Sequence, residues 1–406
     1  MNDISNHKGL STGENENSLS FLSQSGPLLL IALIFFLNFL ARIILAPLMP
    51  TIEKDLGISH GEAGSLFLLI SLGYLISLLG AGFLSSRLTH RRTIILSATA
   101  VGVALMGVSL GKSLWGIRFG LLILGMAAGI YLPSGIATLT SLISPRHWGK
   151  AIGIHELAPA LSYVAAPLVS EALLGRFSWR GILVILGGTS VIVGMAFARF
   201  GRGGQFPGEA PSPKSFKTLL GEPAFWIMMV LFSLGIIGSL GIFTMLPLYL
   251  VTERGMDRNW ANTLVSLSRI SGLGTALLAG WATDRLGPRG TMGGVFLLTG
   301  LMTVLLGAAP DSWIVVIVFL QAALSTCFFP PGFAALSMIG APRVRNLAVS
   351  FTIPFAFLLG AGVIPIGIGT MGDAGSFDLG IGLAGGIILM GFILCHYLKF
   401  HDEKES

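Results

Sequence analysis

The stretch YLPSGIATLTSLISPR, residues 131–146, decides how this chain folds, because it recurs as FFPPGFAALSMIGAPR at 328–343. At that offset Pro133 lies over Pro330, Gly135 over Gly332, Ala137 over Ala334, Leu139 over Leu336, Pro145 over Pro342 and Arg146 over Arg343. Two other pairs share nearly the same spacing. GFLSSRLTHRRT (82–93) lies over GWATDRLGPRGT (280–291), and Pro47, Leu48, Glu53 and Lys54 lie over Pro247, Leu248, Glu253 and Arg254. Three segments in one register mark a duplication of about half the chain. A duplicated bundle puts its functional cavity at the pseudo-symmetry interface.

Around these segments the apolar residues run in blocks of about 20 or more, the length that crosses the roughly 30 Å hydrocarbon core of a bilayer. Of 406 residues 53% are hydrophobic and 11% charged, whereas a soluble domain carries about a quarter charged residues. Mean hydropathy is +0.82. The blocks are continuous and do not alternate, which excludes barrel strands and predicts an all-α membrane protein. Twelve spans are expected, at 27–50, 61–86, 93–111, 114–143, 150–174, 178–199, 222–251, 259–283, 290–309, 312–340, 346–371 and 377–399. They form two pseudo-symmetric six-helix bundles over 27–199 and 222–399. The Gly-, Pro- and Ser-rich stretch 200–221 reads as a cytoplasmic linker. Residues 1–26 read as a disordered cytoplasmic tail and 400–406 as a second tail.

Lys and Arg concentrate in alternate loops, at Arg87, Arg91, Arg92, Arg146, Lys150, Arg199, Arg202, Lys214, Lys217, Arg285, Arg289, Arg343 and Arg345. Cytoplasmic loops retain such residues, so both termini are expected in the cytoplasm of a bacterial inner membrane. The net charge of +6 is scattered singly between apolar blocks, which argues against nucleic acid as a partner. Cys327 and Cys395 both fall within spans and form no metal-ligand motif. No Walker loop, paired catalytic carboxylates or metal cluster is present, so an enzyme is not expected, nor any cofactor or metal.

Over residues 27–399 these features resemble the major facilitator superfamily. GWATDRLGPRG (280–290) is similar to its loop signature, with Gly280, Asp284, Arg285, Gly287 and Arg289 in the motif positions. The resemblance implies that Asp284 pairs with Arg285 or Arg289 and caps a neighbouring helix. The first copy departs from the pattern. It has Ser86 in place of the acid and Thr89 in place of glycine but keeps Arg87, Arg91 and Arg92. GIHELAPALS (153–162), with Ala158-Pro159, resembles the superfamily's helix-5 motif, and NFLARIILAPLMPTIEKDLGIS (38–59) resembles the opening of anion:cation symporters. The function implied is transport by alternating access, as a monomer surrounded by lipid.

Ionisable residues deep in a bilayer are costly and mark function. Arg269, flanked by Ser266, Ser268 and Ser271, offers a forked donor for a carboxylate, as in monocarboxylate-type carriers. Arg42 shares a helix face with Asn38 at i and i+4. Tyr131 and Gln321 lie on helices that line the cavity in the superfamily, and Tyr163 lies seven residues after Glu156. Glu156 is the natural proton carrier, with His155 beside it; the competing expectation is a lock with Arg146 or Lys150. Arg42 and Arg269 against Glu156 leave an excess of positive charge that attracts an anion. The expected activity is proton-coupled carriage of a small organic anion, a monocarboxylate or sugar acid. The alternatives are a proton-antiporting exporter of lipophilic compounds and a sensor on a transporter fold.

Overall fold

Backbone amides in hydrocarbon must be paired within their own segment, so each long apolar block has to become a helix. The computed structural model describes residues 21–208, 219–339 and 342–398 and contains no strand among them. Eleven helices are long and apolar enough to cross a membrane. One of these, Arg258–Ala308, is two spans, because Gly287 takes φ 74° and ψ 160° just before Pro288 and turns the chain back. A positive φ of this kind costs glycine little. Dividing it there makes twelve spans in all.

These are α1 (Gly26–Leu56), α2 (His60–Arg87), α3 (His90–Ser109), α4 (Leu114–Leu142), α5 (Trp148–Leu174) and α6 (Trp179–Phe200), then α7 (Pro223–Thr252), α8 and α9 (258–286 and 288–308), α10 (Asp311–Leu336), α11 (Ala348–Asp373) and α12 (Phe377–Tyr397). The first helix reaches back to Phe21, so residues 21–26 are helical where a disordered tail was expected. Residues 1–20, the middle of the linker (209–218) and the tail from 400 lie outside the described residues.

Within the first half α2 packs on α4, α3 on α6 and α1 on α5; within the second, the α8–α9 pair packs on α12 and α10. The halves meet through α2 with α11, α5 with α8, and α1 with α7. Prolines bend three spans. Helix α1 breaks at Ile44 ahead of Pro47, α4 at Ile130 ahead of Pro133, and α10 at Cys327 ahead of Pro330 and Pro331. A proline lacks the N–H that its preceding turn would use, and its ring crowds that turn. Two further irregularities are π-turns, Ile237–Gly241 in α7 and Leu358–Val363 in α11. They touch at Gly241, where a Cβ would lie 2.3 Å from the Gly360 carbonyl.

The outer surface is apolar, with Val103, Ile192, Leu277 and Leu278 exposed, as lipid-facing positions require. Trp115, Trp260 and Trp313 are exposed near the starts of α4, α8 and α10, while Trp148, Trp226 and Trp281 are exposed toward the opposite end. Two such girdles are the aromatic belts of a membrane protein. The end that carries residues 201–208 and the close of α12 is termed the linker end, and the other the distal end.

Candidate functional site

Halfway along their spans, Arg42 of α1 and Arg269 of α8 both point into the interface between the halves, with only 7% and 4% of their surface exposed. The Arg42 guanidinium carbon lies 4.4 Å from the Tyr74 ring centroid, 4.5 Å from Phe39 and 5.4 Å from Phe357. That of Arg269 lies 5.0 Å from Tyr163 and 5.0 Å from Phe243. The Tyr163 ring meets Phe39 and Phe243 edge-on at 5.3 and 4.8 Å, which joins the ring clusters around the two arginines.

Neither arginine forms an ion pair among the described residues. Arg269 Nη2 donates to the Ser239 carbonyl at 3.0 Å, a carbonyl that the α7 π-turn presents outside the regular ladder. Its Nε and Nη1, and Nε of Arg42, are buried without a partner. A buried charge with no counter-ion costs several kcal/mol after relaxation, and each ring face returns about 0.5–2 kcal/mol. The rings therefore hold the two cations in place without completing their hydrogen bonding. Beside Arg42 a cavity of about 20 Å³ is lined by Phe39, Phe67, Tyr74, Ser71, Thr244 and Phe357, room for about one water. Both halves contribute to its wall.

Three of the expected contact residues point elsewhere. The Asn38 amide donates to Ser97 Oγ at 3.3 Å and to the Ala128 carbonyl at 3.2 Å, which uses both N–H groups to tie α1 to α3 and α4. Gln321 donates to the Gly238 carbonyl of the π-turn at 2.8 Å and to Thr303 at 3.3 Å. The Tyr131 hydroxyl donates to the Ile31 carbonyl at 2.8 Å and stands 3.1 Å from His155 Nε2. All three are buried within their own bundles.

His155 is fully buried, stacked on Phe35 at 4.3 Å, and its Nδ1 lies 3.1 Å from Oε1 of Glu156, whose side chain is 52% exposed. His155 thus bridges the Tyr131 hydroxyl, through Nε2, and the Glu156 carboxyl, through Nδ1, and which ring nitrogen carries a proton depends on its tautomer. Glu156 makes no ion pair with Arg146 or Lys150 among the described residues, so the expected lock is not formed.

The distal end is shut by polar contacts between halves. Arg258 of α8 forks onto Glu171 of α5 at 3.0 and 3.3 Å. Asn262 donates to Glu171 at 2.6 Å and to the Pro47 carbonyl at 3.2 Å. At the end of α11, Asp373 accepts from the His60 and Gly61 amides at 2.7 and 2.9 Å, capping α2 from the other half. The linker-side segments of α4 and α10 pack within their own bundles.

Residues 31–281, more than half of the chain, match the Major Facilitator Superfamily. The chain belongs to that superfamily. Among its relatives, a probable L-galactonate transporter of Escherichia coli is 22% identical over 64% of this chain and 62% of its own. The match thus spans less than two thirds of that relative. A probable sulfoacetate transporter, SauU, of Cupriavidus necator is 22% identical over 73% of this chain and 74% of its own. A multidrug resistance protein, MdtL, of Klebsiella pneumoniae is 20% identical over 60% and 63%. A bacterial homolog of the human lysosomal transporter Spinster, solved inward-facing and occupied, superposes with a TM-score of 0.81 at 16% identity, covering 92% of this chain and 96% of that one. At that identity the likeness concerns the fold alone. The protein is an integral membrane member of this superfamily.

The superfamily's loop signature is laid out differently from expectation. Asp284 is exposed and makes no ion pair among the described residues. Arg285 instead lies over Trp281 at 4.3 Å, and Arg289 donates to the His396 carbonyl at 2.5 Å. Gly280 has open space where a Cβ would go, while Gly287 supplies the reversal between α8 and α9. In the first half, where the acid is replaced by Ser86, Arg91 donates to the Phe197 and Ala198 carbonyls at 3.2 and 2.9 Å and to that of Gly201. It thereby caps the end of α6, where a cation also suits the helix dipole. Backbone bonds from His90 and Arg91 to the carbonyls of Phe206 and Gly204 fasten the start of the linker there. Arg87 is exposed, and Pro159 lies inside α5. Sequence reasoning missed Tyr74, Phe357, Glu171, Arg258 and Asp373. Only Tyr163 carried a signal, its seven-residue spacing from Glu156.

Proposed function

We propose that this transporter carries a small organic anion together with protons by alternating access. One observation carries the reading: Arg42 and Arg269, one from each half, face the interface buried and without a counter-ion. An anion arriving between them completes their hydrogen bonding and draws both halves together, which is how a solute favours one arrangement over another. The galactonate and sulfoacetate named for two relatives are anions, in keeping with this site. Glu156, with His155 and Tyr131 behind it, is the proposed proton site, since its half-exposed carboxyl is joined through the buried imidazole to a hydroxyl in one hydrogen-bonded chain. The excess of Arg and Lys at the linker end supports a cytoplasmic position for both chain ends, and the distal contacts between the halves then favour an inward-facing arrangement.

An exporter of lipophilic cations is the second reading, and the half-exposed Glu156 is the feature that favours it. Two unpaired arginines at the centre oppose a cation. Uptake of labelled small carboxylates into proteoliposomes under an inward proton gradient separates the readings. Arg269→Gln should abolish uptake, whereas Glu156→Gln should keep exchange and lose accumulation. Efflux of cationic dyes with no carboxylate uptake would replace the anion reading by the exporter.

A further inference from the structure

We propose that the solute is a short organic dianion, with one acidic group on Arg42 and the other on Arg269. This rests on the anion reading above and narrows it from the monocarboxylate or sugar acid that the sequence suggests.

Charge balance is the first argument. The described ion pairs engage His60, His155, Arg180, Arg254 and Arg258, and none engages Arg42 or Arg269. Two uncompensated cations therefore flank one ring pair, Arg42 against Phe39 and Arg269 against Tyr163, whose rings meet edge-on. A monoanion leaves one of them buried with its charge unmet, while two acidic groups meet both. Glu156 does not supply the missing charge, since its carboxyl is bonded to His155.

Donor placement is the second argument. The unpartnered N–H groups are divided between the arginines, Nε on Arg42 against Nε and Nη1 on Arg269. Tyr163 carries Arg269 on its face and meets Phe39, which carries Arg42, edge-on. Each guanidinium thus has capacity for its own carboxylate or sulfonate, and a guanidinium fork suits such groups. Because Arg42 belongs to the first half and Arg269 to the second, a molecule bonded at both ends ties the halves together. A molecule bonded at one end does not.

The walls are the third. Beside Arg42 they are Phe39, Phe67 and Phe357, with hydroxyls only from Ser71, Thr244 and Tyr74. A polyhydroxylated chain needs more hydrogen-bond partners than that, and a short apolar spacer between the acids needs none.

The test is ligand-induced thermal stabilisation of the purified full-length protein at pH 7.5, titrated with malonate, succinate and glutarate, each beside its monoamide and diamide. These series keep length and shape while removing one charge at a time. In wild type at least one diacid should bind about tenfold or more tightly than its monoamide. Arg42→Gln should bring the two within about threefold, and Arg42→Lys, which keeps the charge should the Gln variant fail to fold, should preserve the preference. Monoamides binding as well as diacids would overturn the dianion and leave the anion reading standing. Acids indistinguishable from the uncharged diamides would overturn both.

Discussion

Arg269, from the second half of the chain, lies over the ring of Tyr163 from the first, with its guanidinium carbon 5.0 Å from the ring centroid. The pair crosses the interface at which the halves must move. It places a positive charge against a surface that can hold it without neutralising it, so the charge stays available to a solute. Tyr163→Phe keeps the ring face and should change solute affinity less than about threefold. Tyr163→Ala removes a contact worth about 0.5–2 kcal/mol and should weaken affinity about threefold to thirtyfold. Equal losses in both variants, measured by titration of the purified protein, would assign the effect to the hydroxyl.

At the distal end Glu171 accepts from both Arg258 and Asn262. Hydrogen bonds to charged groups contribute about 1.5–3 kcal/mol. Glu171→Gln should therefore shift the population toward distal-open by roughly tenfold or more, read as faster labelling of a cysteine placed at Thr51. Unchanged labelling would show that this ion pair does not hold the end shut.

Asp373 caps α2 from across the interface, and removal of a capping side chain typically costs about 1 kcal/mol. Asp373→Ala should raise distal labelling about fivefold. Combined with Glu171→Gln its effect should add, because the two contacts involve different helix pairs. A double variant no different from either single one would mean that the distal end opens as one rigid lock.

Gly64 of α2 approaches α11 so closely that a Cβ would lie 2.4 Å from the Pro365 carbonyl. Gly64→Val should fold, since the three nearest atoms to that Cβ all belong to α11 of the other half, but should not close distally. Proteoliposomes bearing it should show transport reduced at least tenfold with expression maintained. Normal transport would mean that α2 and α11 separate at this level throughout the cycle.

The path from residue pattern to membrane topology was short. The apolar blocks had to become helices because hydrocarbon offers no other partner for their amides, and the recurrence of 131–146 at 328–343 foretold two like bundles. Arg42 and Arg269 were visible as deep charges for the same energetic reason. Less visible was what each polar side chain does. Asn38 shares a helix face with Arg42, yet bends onto Ser97 and Ala128. Gln321 bonds the Gly238 carbonyl exposed by a π-turn that no periodicity announced. Asp284 stands in the superfamily's signature without the partner that the signature implies.

By itself, then, the amino-acid sequence determined the solvent, the number of crossings, the duplication and the depth of the charged groups, all of which follow from local composition and spacing. The tertiary structure decided which of those groups converge. Helices α1, α5, α7 and α8 come from distant parts of the chain, and the rotation of each about its axis is set by packing against neighbours. Only that packing sets Arg269 over Tyr163, joins Glu171 to Arg258 and buries His155 behind Glu156.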